Sequence, residues 1–281
     1  MRYCLDTSAV DDLQKDDLVG PLTAGLRVVG EVWITAVNVL EASLCSEKSY
    51  REALLMRLRA LSNGVAPLDS PARLLKKEAR AHAAGDDELT VTVSDETIGL
   101  DAVVRDPNVL TEELRQEMWL EKKGIEKAFR AVHQESRPGL QGLAGNEEME
   151  GFRTAASFLR SHIADEGFVG DVVNDLYEKV VGTRLPLDAV RPFLDDCPSW
   201  GLYLLGWGHA SYSRAVSPKD YGVKNAGGFD LWSAAYLPWC DVFLTADLAQ
   251  YRALRLINRW NPNKTRVRLW AHFRESLLVG Q

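Results

Sequence analysis

Two short apolar segments, one near each end of the chain, are each followed by an aspartate. Residues 2–5 precede Asp6, and residues 242–245 are followed by Ala246 and Asp247. Both segments have the length and composition of β-strands. The carboxyl ends of strands in an open α/β sheet lie at one edge, where binding sites form. The pattern predicts that the two ends of the chain share one sheet and bring Asp6 and Asp247 to the same edge.

Between these two segments the sequence changes from α/β to helical character. The pattern predicts a strand in residues 28–36, followed by a helix that Thr35 caps and that carries Glu41. It predicts a second helix at 50–61, ended by Asn63-Gly64, and a third at 71–84, capped by Ser70 and ended by Gly85. It predicts further helices at 111–135, 147–166, 168–181, 187–194 and 197–213, and a glycine-rich loop at 139–145. After these come a helix at 229–237 ended by Pro238, the strand at 242–245, a helix at 248–259 and a strand at 267–270.

This order of segments predicts an α/β fold: a parallel sheet flanked by helices, with a mainly helical inserted subdomain. The sheet domain is expected to be discontinuous and to comprise residues 1–85 and 226–281. Residues 86–225 are expected to form the helical insertion.

Charge is distributed unevenly along the 281 residues. The net charge is −7, from 33 Lys and Arg against 40 Asp and Glu, which excludes a uniformly basic nucleic-acid coat protein. Residues 248–281 hold seven Lys and Arg against one Glu, a net charge of +6. Within this basic segment, we expect four cations to contact nucleic acid and three aromatic residues to stack on bases: Arg252, Arg255, Arg259 and Lys264, with Tyr251, Trp260 and Trp270. The alternative is a solvated arginine face with tryptophans in the core.

The same sequence argues against a secreted or membrane protein. Charged residues at Arg2, Asp6, Asp11 and Asp12 are not those of a secretion signal. The longest stretch without a charged residue, Cys197–Ser213, has 17 residues, fewer than the about 20 that a membrane-spanning helix needs. The four cysteines form no Cys-x-x-Cys pair and no zinc-type pattern with histidine, so we expect reduced thiols in a cytoplasmic protein.

Four acidic residues occupy positions where burial alone does not favour an acid. Asp6 and Asp247 follow apolar strands, Glu41 lies between Leu40 and Ala42, and Asp230 lies in an apolar helix start. Carboxylates gathered at one sheet edge repel one another unless a hard cation binds, and Mg²⁺ prefers such oxygen ligands. Each acid also has a structural alternative. Asp6 and Asp247 are suited to capping helices or turns, Asp230 to a helix N-terminus, and Glu41 to a solvated helix edge.

Four segments in this order resemble the PIN-domain nucleases, whose compact members include the VapC-like toxin ribonucleases. They are Leu5-Asp6-Thr7-Ser8, residues 35–41 ending in Glu41, residues 230–235 beginning with Asp230, and Leu244-Thr245-Ala246-Asp247. The resemblance implies that Asp6, Glu41, Asp230 and Asp247 are catalytic and ligate Mg²⁺ or Mn²⁺, and that Ser8 and Thr245 are supporting hydroxyls. It covers residues 1–80 and 226–281, under half of the chain. The interval of 189 residues between Glu41 and Asp230 departs from the compact members and requires an insertion.

The resemblance also implies an activity and a set of partners. We expect metal-dependent endonucleolytic hydrolysis of single-stranded RNA, with DNA as the less common substrate. A toxin-type ribonuclease would add an antitoxin or an inhibitory protein as a partner, and compact relatives are often homodimers. No membrane partner is expected. The alternative is a non-catalytic PIN-like binding or scaffold protein that acts through the helical insertion.

Overall fold

A computed structural model describes residues 1–86, 89, 91–92, 98–145, 159, 166–216 and 228–279. Within these residues, four parallel strands form one sheet in the order β2-β1-β3-β4. They are β1 (Arg2–Leu5), β2 (Glu31–Trp33), β3 (Val242–Thr245) and β4 (Arg266–Leu269). Leu5 of β1 is paired with Leu244 of β3, so strands from the two ends of the chain are neighbours. The predicted α/β class and the parallel sheet shared by the two ends are confirmed.

Helices surround this sheet. The N-terminal part contains α1 (Thr7–Lys15), α2 (Val19–Val29), α3 (Ala36–Ser43), α4 (Lys48–Ser62) and α5 (Pro71–Ala84). The middle part contains α6 (Ile98–Arg105), α7 (Glu112–Gly145), α8 (Glu166–Val181), α9 (Leu187–Asp196) and α10 (Pro198–Val216). The C-terminal part contains α11 (Gly228–Leu231), α12 (Leu248–Ile257) and α13 (Trp270–Val279). Short 3₁₀ segments occupy Pro107–Val109, Trp232–Trp239 and Asn258–Trp260.

Several helix boundaries follow directly from local sequence. Thr35 caps α3 in a reciprocal pair with Asn38: the hydroxyl of Thr35 accepts the Asn38 N–H at 3.1 Å, and the Asn38 side chain accepts the Thr35 N–H at 2.8 Å. Asn63 and Gly85 end α4 and α5 in the left-handed region, with φ of 49° and 67°. The predicted cap at Thr35 and both predicted helix ends are confirmed.

The middle part departs from the prediction in one respect. The predicted loop at 139–145 is wrong, because α7 continues through it to Gly145, with Pro138 inside the helix. Its end is held by tertiary contacts, since Leu140 is buried and Gln141 donates a side-chain hydrogen bond to the carbonyl of Ala215 at 3.1 Å. Packing against α10 outweighs the weak helix propensity of the glycines. The helix predicted at 147–166 lies almost entirely outside the described residues.

Two C-terminal boundaries also differ. The single helix predicted at 229–237 is wrong: α11 ends at Leu231, and a 3₁₀ segment extends to Trp239. Pro238 lies inside that segment and lacks the N–H that an α-helix would require there. The predicted strand at 267–270 ends one residue early, because Trp270 begins α13 and its side chain, 2% exposed, lies in the core.

The sheet separates two hydrophobic cores. Tyr3 and Leu5 face one core, where α1 to α4 and α13 pack, whereas Cys4 and Phe243 face the other, with α10, α12 and the 3₁₀ segment before β3. Helices α5, α8, α9 and α10 enclose a third cluster. Met118 of α7 belongs to the core of α1 to α4, so the middle region contributes to the packing around the sheet. The division into a sheet domain and an insertion stays a prediction.

No helix in the part of the chain that the structure describes combines the length and the hydropathy needed to cross a membrane. The four cysteines are free thiols, as predicted, and three of them are buried.

Helix α10 closely approaches the segment that carries Asp230. A Cβ added at Gly206 would lie 2.7 Å from the carbonyl oxygen of Leu231 and 3.3 Å from the Cβ of Ala234. We predict that Gly206→Ala lowers the free energy of unfolding by about 1–3 kcal/mol, because the helix and the segment must separate. Urea denaturation measures this change.

Gly124 of α7 is the matched control, since an added Cβ there meets no atom within 4 Å. Gly124→Ala is expected to stabilise the helix by about 0.5–1 kcal/mol. Equal effects of the two substitutions would show that the α10 approach is not tight.

Candidate active site

Asp6 lies where β1 ends and α1 begins. Its backbone N–H donates to the carbonyl of Leu244 at 2.8 Å, which aligns the ends of β1 and β3. Its Oδ2 accepts hydrogen bonds from the backbone N–H of Ser8 at 3.1 Å and from the Ser8 hydroxyl at 2.6 Å. Asp6 therefore does cap α1, as its structural alternative predicted. The same Ser8 hydroxyl accepts the N–H of Ala246 at 2.9 Å, so the cap also joins α1 to the end of β3.

A buried glutamine links three of the four acidic residues. Gln250 Nε2 lies 3.2 Å from Oδ1 of Asp6 and 2.9 Å from the carbonyl oxygen of Asp230, and its Oε1 accepts from the hydroxyl of Thr245. The backbone N–H of Gln250 donates to Oδ1 of Asp247 at 2.8 Å. Because Gln250 is 1% exposed and Thr245 is fully buried, this arrangement belongs to the core. The Gln250 side chain contacts Asp6 and the backbone of Asp230, and its backbone N–H contacts Asp247.

Asp247 and Asp230 occupy different positions in this arrangement. Asp247 is exposed and is the N-cap of α12, so its structural alternative also holds. Its own backbone N–H donates to the Thr245 hydroxyl at 3.0 Å. Asp230 lies in the short helix α11 with a partly buried side chain, and it is the backbone carbonyl that contacts Gln250.

Glu41 approaches the same edge from α3. Burial raises the pKa of Asp6 most strongly, and the negative charge of Glu41 raises it further. Hydrogen bonds from Ser8 and Gln250 lower the pKa of Asp6, but the net shift is upward. Glu41 is thus close enough to Asp6 for the two carboxylates to repel each other. Oε1 of Glu41 lies 3.1 Å from Nζ of Lys122 in α7, an ion pair that links the middle region to this edge.

We call Asp6, Glu41, Asp230 and Asp247 together the acidic edge. Its side chains offer only oxygen ligands, which suits Mg²⁺ or Mn²⁺. A lysine ammonium already lies against Glu41, which fits a cation at this edge, and the charge of Glu41 contributes to the raised pKa of Asp6. Among the residues that the structure describes, however, no three acidic, histidine or cysteine side chains converge closely enough to hold a metal ion. The donor chemistry fits the metal, and a complete ligand set requires side chains to shift.

The basic segment lies next to this edge. Helix α12 begins directly after Asp247, and Arg252, Arg255, Arg259 and Lys264 are all exposed. The Arg255 guanidinium lies over the ring of Tyr251, 5.4 Å from its centroid. Trp270 is a core residue, as the alternative to base stacking predicted. Trp260 is partly buried against the core of α10 and α12.

Sequence reasoning missed two residues at the acidic edge. Gln250 follows Asp247 at the spacing of a capping box, Asp-x-x-Gln, which is a readable signal for a buried polar residue at a helix start. Lys122 had no such signal, because 81 positions separate it from Glu41 and only the packing of α7 brings them together.

Compared with protein-family models, with curated proteins and with solved structures, the chain matches none of them.

The raised pKa of Asp6 has a consequence for stability. An acid whose pKa is higher in the folded than in the unfolded state stabilises the fold below its unfolded pKa, and that contribution is lost as pH rises through the folded pKa. At neutral pH, well above the unfolded pKa, the raised pKa of Asp6 therefore lowers the stability of the metal-free protein. We predict that Asp6→Asn, which keeps one oxygen for capping α1, becomes more stable relative to the wild type as pH rises from acidic to neutral in EDTA. The difference between the two thermal midpoints measures this.

Asp12, exposed on the same helix, provides the control. Asp12→Asn is expected to change stability by less than about 0.5 kcal/mol. If the midpoint difference between Asp6→Asn and the wild type does not move in favour of the variant from acidic to neutral pH, the prediction is contradicted.

Proposed function

We propose that the chain is a metal-dependent endonuclease with a PIN-like fold that hydrolyses phosphodiester bonds of single-stranded RNA. The observation that carries this proposal is the contact set of Gln250, which places Asp6 and Asp247 from two strand ends beside Asp230. Glu41 comes close enough to repel Asp6. Carboxylate oxygens at the carboxyl ends of parallel strands are the ligands that a hard cation such as Mg²⁺ prefers.

The four acidic residues share one task in this proposal. The four carboxylates would hold Mg²⁺ or Mn²⁺, which supplies Lewis-acid charge for phosphodiester hydrolysis when bound. Asp6 is held at the strand end by donors to both of its oxygens, from Ser8 to Oδ2 and from Gln250 to Oδ1. These donors fix the orientation of Asp6, and the other carboxylates would have to shift towards it to complete a ligand set. Ser8 and Thr245, whose hydroxyl oxygens lie 3.1 Å apart, keep Asp6 in this position.

The basic segment is the proposed contact for the nucleic-acid backbone. Helix α12 starts at the acidic edge, and with about 1.5 Å of rise per residue Arg252 and Arg255 lie about 8 and 12 Å along it from Asp247. Exposed guanidinium groups at these distances suit phosphates flanking a cleavage position. Residues 1–247 carry a net charge of −13, so the basic segment is the part of the sequence whose net charge favours phosphate binding.

The proposed substrates and partners follow from the resemblance to PIN-domain nucleases. Single-stranded RNA is the preferred substrate and single-stranded DNA the alternative one. An antitoxin or inhibitory protein, a homodimer and a cytoplasmic location remain predictions of the resemblance. The non-catalytic alternative, a PIN-like binding protein, is distinguished by the next experiment.

We predict that the full chain cleaves a mixed single-stranded RNA pool with Mn²⁺ or Mg²⁺ and not in EDTA. Asp6→Asn should lower the rate at least about 100-fold, because a metal ligand acts on the reacting phosphate itself. Asp12→Asn is the matched control and should cleave like the wild type. A parallel DNA pool measures the nucleic-acid preference.

Equal cleavage by Asp6→Asn and the wild type would contradict the assignment of the acidic edge. No cleavage by either, together with no Mn²⁺ binding at millimolar concentration, would favour the binding-protein alternative.

A second prediction concerns the basic segment. The double variant Arg252→Ala with Arg255→Ala should weaken binding of a labelled single-stranded RNA in EDTA. The magnitude of the slope of log binding constant against log salt concentration should fall by about 1.4, because each lost phosphate contact contributes about 0.7. Fluorescence anisotropy across a salt series measures both. Arg59→Ala, an exposed arginine of α4, serves as the control. An unchanged slope in the double variant would show that α12 does not contact phosphates.

A further inference from the structure

One cation from the middle region already lies at the acidic edge. Nζ of Lys122 in α7 lies 3.1 Å from Oε1 of Glu41, and the two side chains are only 25% and 24% exposed. Lys122 and Glu41 lie on different helices and are 81 positions apart. The contact therefore depends on how α7 packs against the rest of the fold and is not a neighbour effect within one helix.

Helix α7 is held at both sides of Lys122. One turn before it, Met118 is 6% exposed and packs in the core of α1 to α4, where Val103 and Leu54 also lie. Towards the C-terminal end, Gln141 donates to the carbonyl of Ala215 in α10. These anchors on either side hold α7 next to Glu41. The partly buried Lys122 side chain therefore reaches Glu41 because of the position of the helix.

The neighbouring cation of α7 behaves differently. Nζ of Lys123 lies 3.0 Å from Oε2 of Glu126 on its own helix, and its side chain is 47% exposed. It also lies over the ring of Trp119, 5.8 Å from the centroid. Two adjacent lysines thus have separate acidic partners, and of these two ion pairs only that of Lys122 involves the acidic edge.

We propose that Lys122 is an internal counter-cation of the acidic edge, which must leave Glu41 before a divalent cation binds there. This inference rests on the proposed function. An ammonium and a metal ion repel each other and compete for the same carboxylate oxygen, so an ion pair at Glu41 weakens metal binding. The position of α7 thereby affects the metal affinity, and Lys122 is one side chain through which the middle region acts on the site. A ligand or partner that shifts α7 changes metal affinity by linkage.

The test is direct Mn²⁺ titration of the purified full chain by isothermal calorimetry. Lys122→Met, which keeps most of the aliphatic stem without the charge, should bind Mn²⁺ about five- to tenfold more tightly than the wild type, within the usual range of couplings between two sites. Lys122→Arg retains the cation and should bind like the wild type. Lys123→Met, the matched control, should change the affinity less than about twofold, because exposed charges beyond the site are screened.

The outcomes separate this inference from the proposed function. One outcome overturns the inference and leaves the metal site standing: the wild type binds Mn²⁺, Asp6→Asn does not bind it, and Lys122→Met binds it no more tightly than the wild type. If neither the wild type nor any variant binds Mn²⁺ at millimolar concentration, the proposed function and the inference both fail. Thermal midpoints in EDTA verify folding, and Lys122→Gln replaces Lys122→Met if the latter unfolds.

Discussion

The pairing of β1 with β3 is the interaction on which the rest of the structure depends. It joins residues 2–5 to residues 242–245, and the register sets Leu5 against Leu244. The next backbone hydrogen bond, from Asp6 N–H to the Leu244 carbonyl, brings both strand ends to one level. Every other contact of the acidic edge, from the Ser8 bridge to the position of Gln250, requires this register. A slip by one residue would turn Leu5 and Leu244 out of their core.

At this edge, helix capping and the proposed metal chemistry use the same side chains. Asp6 and Asp247 are each the N-cap of the helix that follows them. Capping fixes where each carboxylate points, and it engages only some of the acceptor positions that a carboxylate offers. The structural and functional interpretations of these two acids are therefore compatible. Asp6 differs from an ordinary N-cap because burial and the charge of Glu41 both raise its pKa. Capping alone requires neither burial of the carboxylate nor a second acid beside it.

Much of the sheet was predictable because its signals are local. Apolar runs at 2–5 and 242–245, the cap at Thr35 and the left-handed ends at Asn63 and Gly85 depend on neighbouring residues alone. The loop predicted at 139–145 failed because glycine propensity was weighed without the packing of α7 on α10. The helix predicted at 229–237 is wrong beyond Leu231, because no local pattern contains the close approach of α10 to Leu231 and Ala234.

The candidate site divides in the same way. Asp6 and Asp247 were predictable from the strands that precede them, and Gln250 was within reach of the same reasoning through its capping-box spacing. Lys122 was not, because its role arises from a contact between helices that no local pattern encodes. Side chains that reach a site across 81 positions are visible only once the fold is known.

The central claim is that the acidic edge is a cation site for phosphodiester hydrolysis. Anomalous diffraction from crystals of the full chain soaked in Mn²⁺ tests it most directly. We predict a manganese peak bound by carboxylate oxygens of Asp6 and Glu41, with the ammonium of Lys122 displaced from Glu41. A soak that leaves the Lys122–Glu41 ion pair intact and shows no manganese between these carboxylates would contradict it.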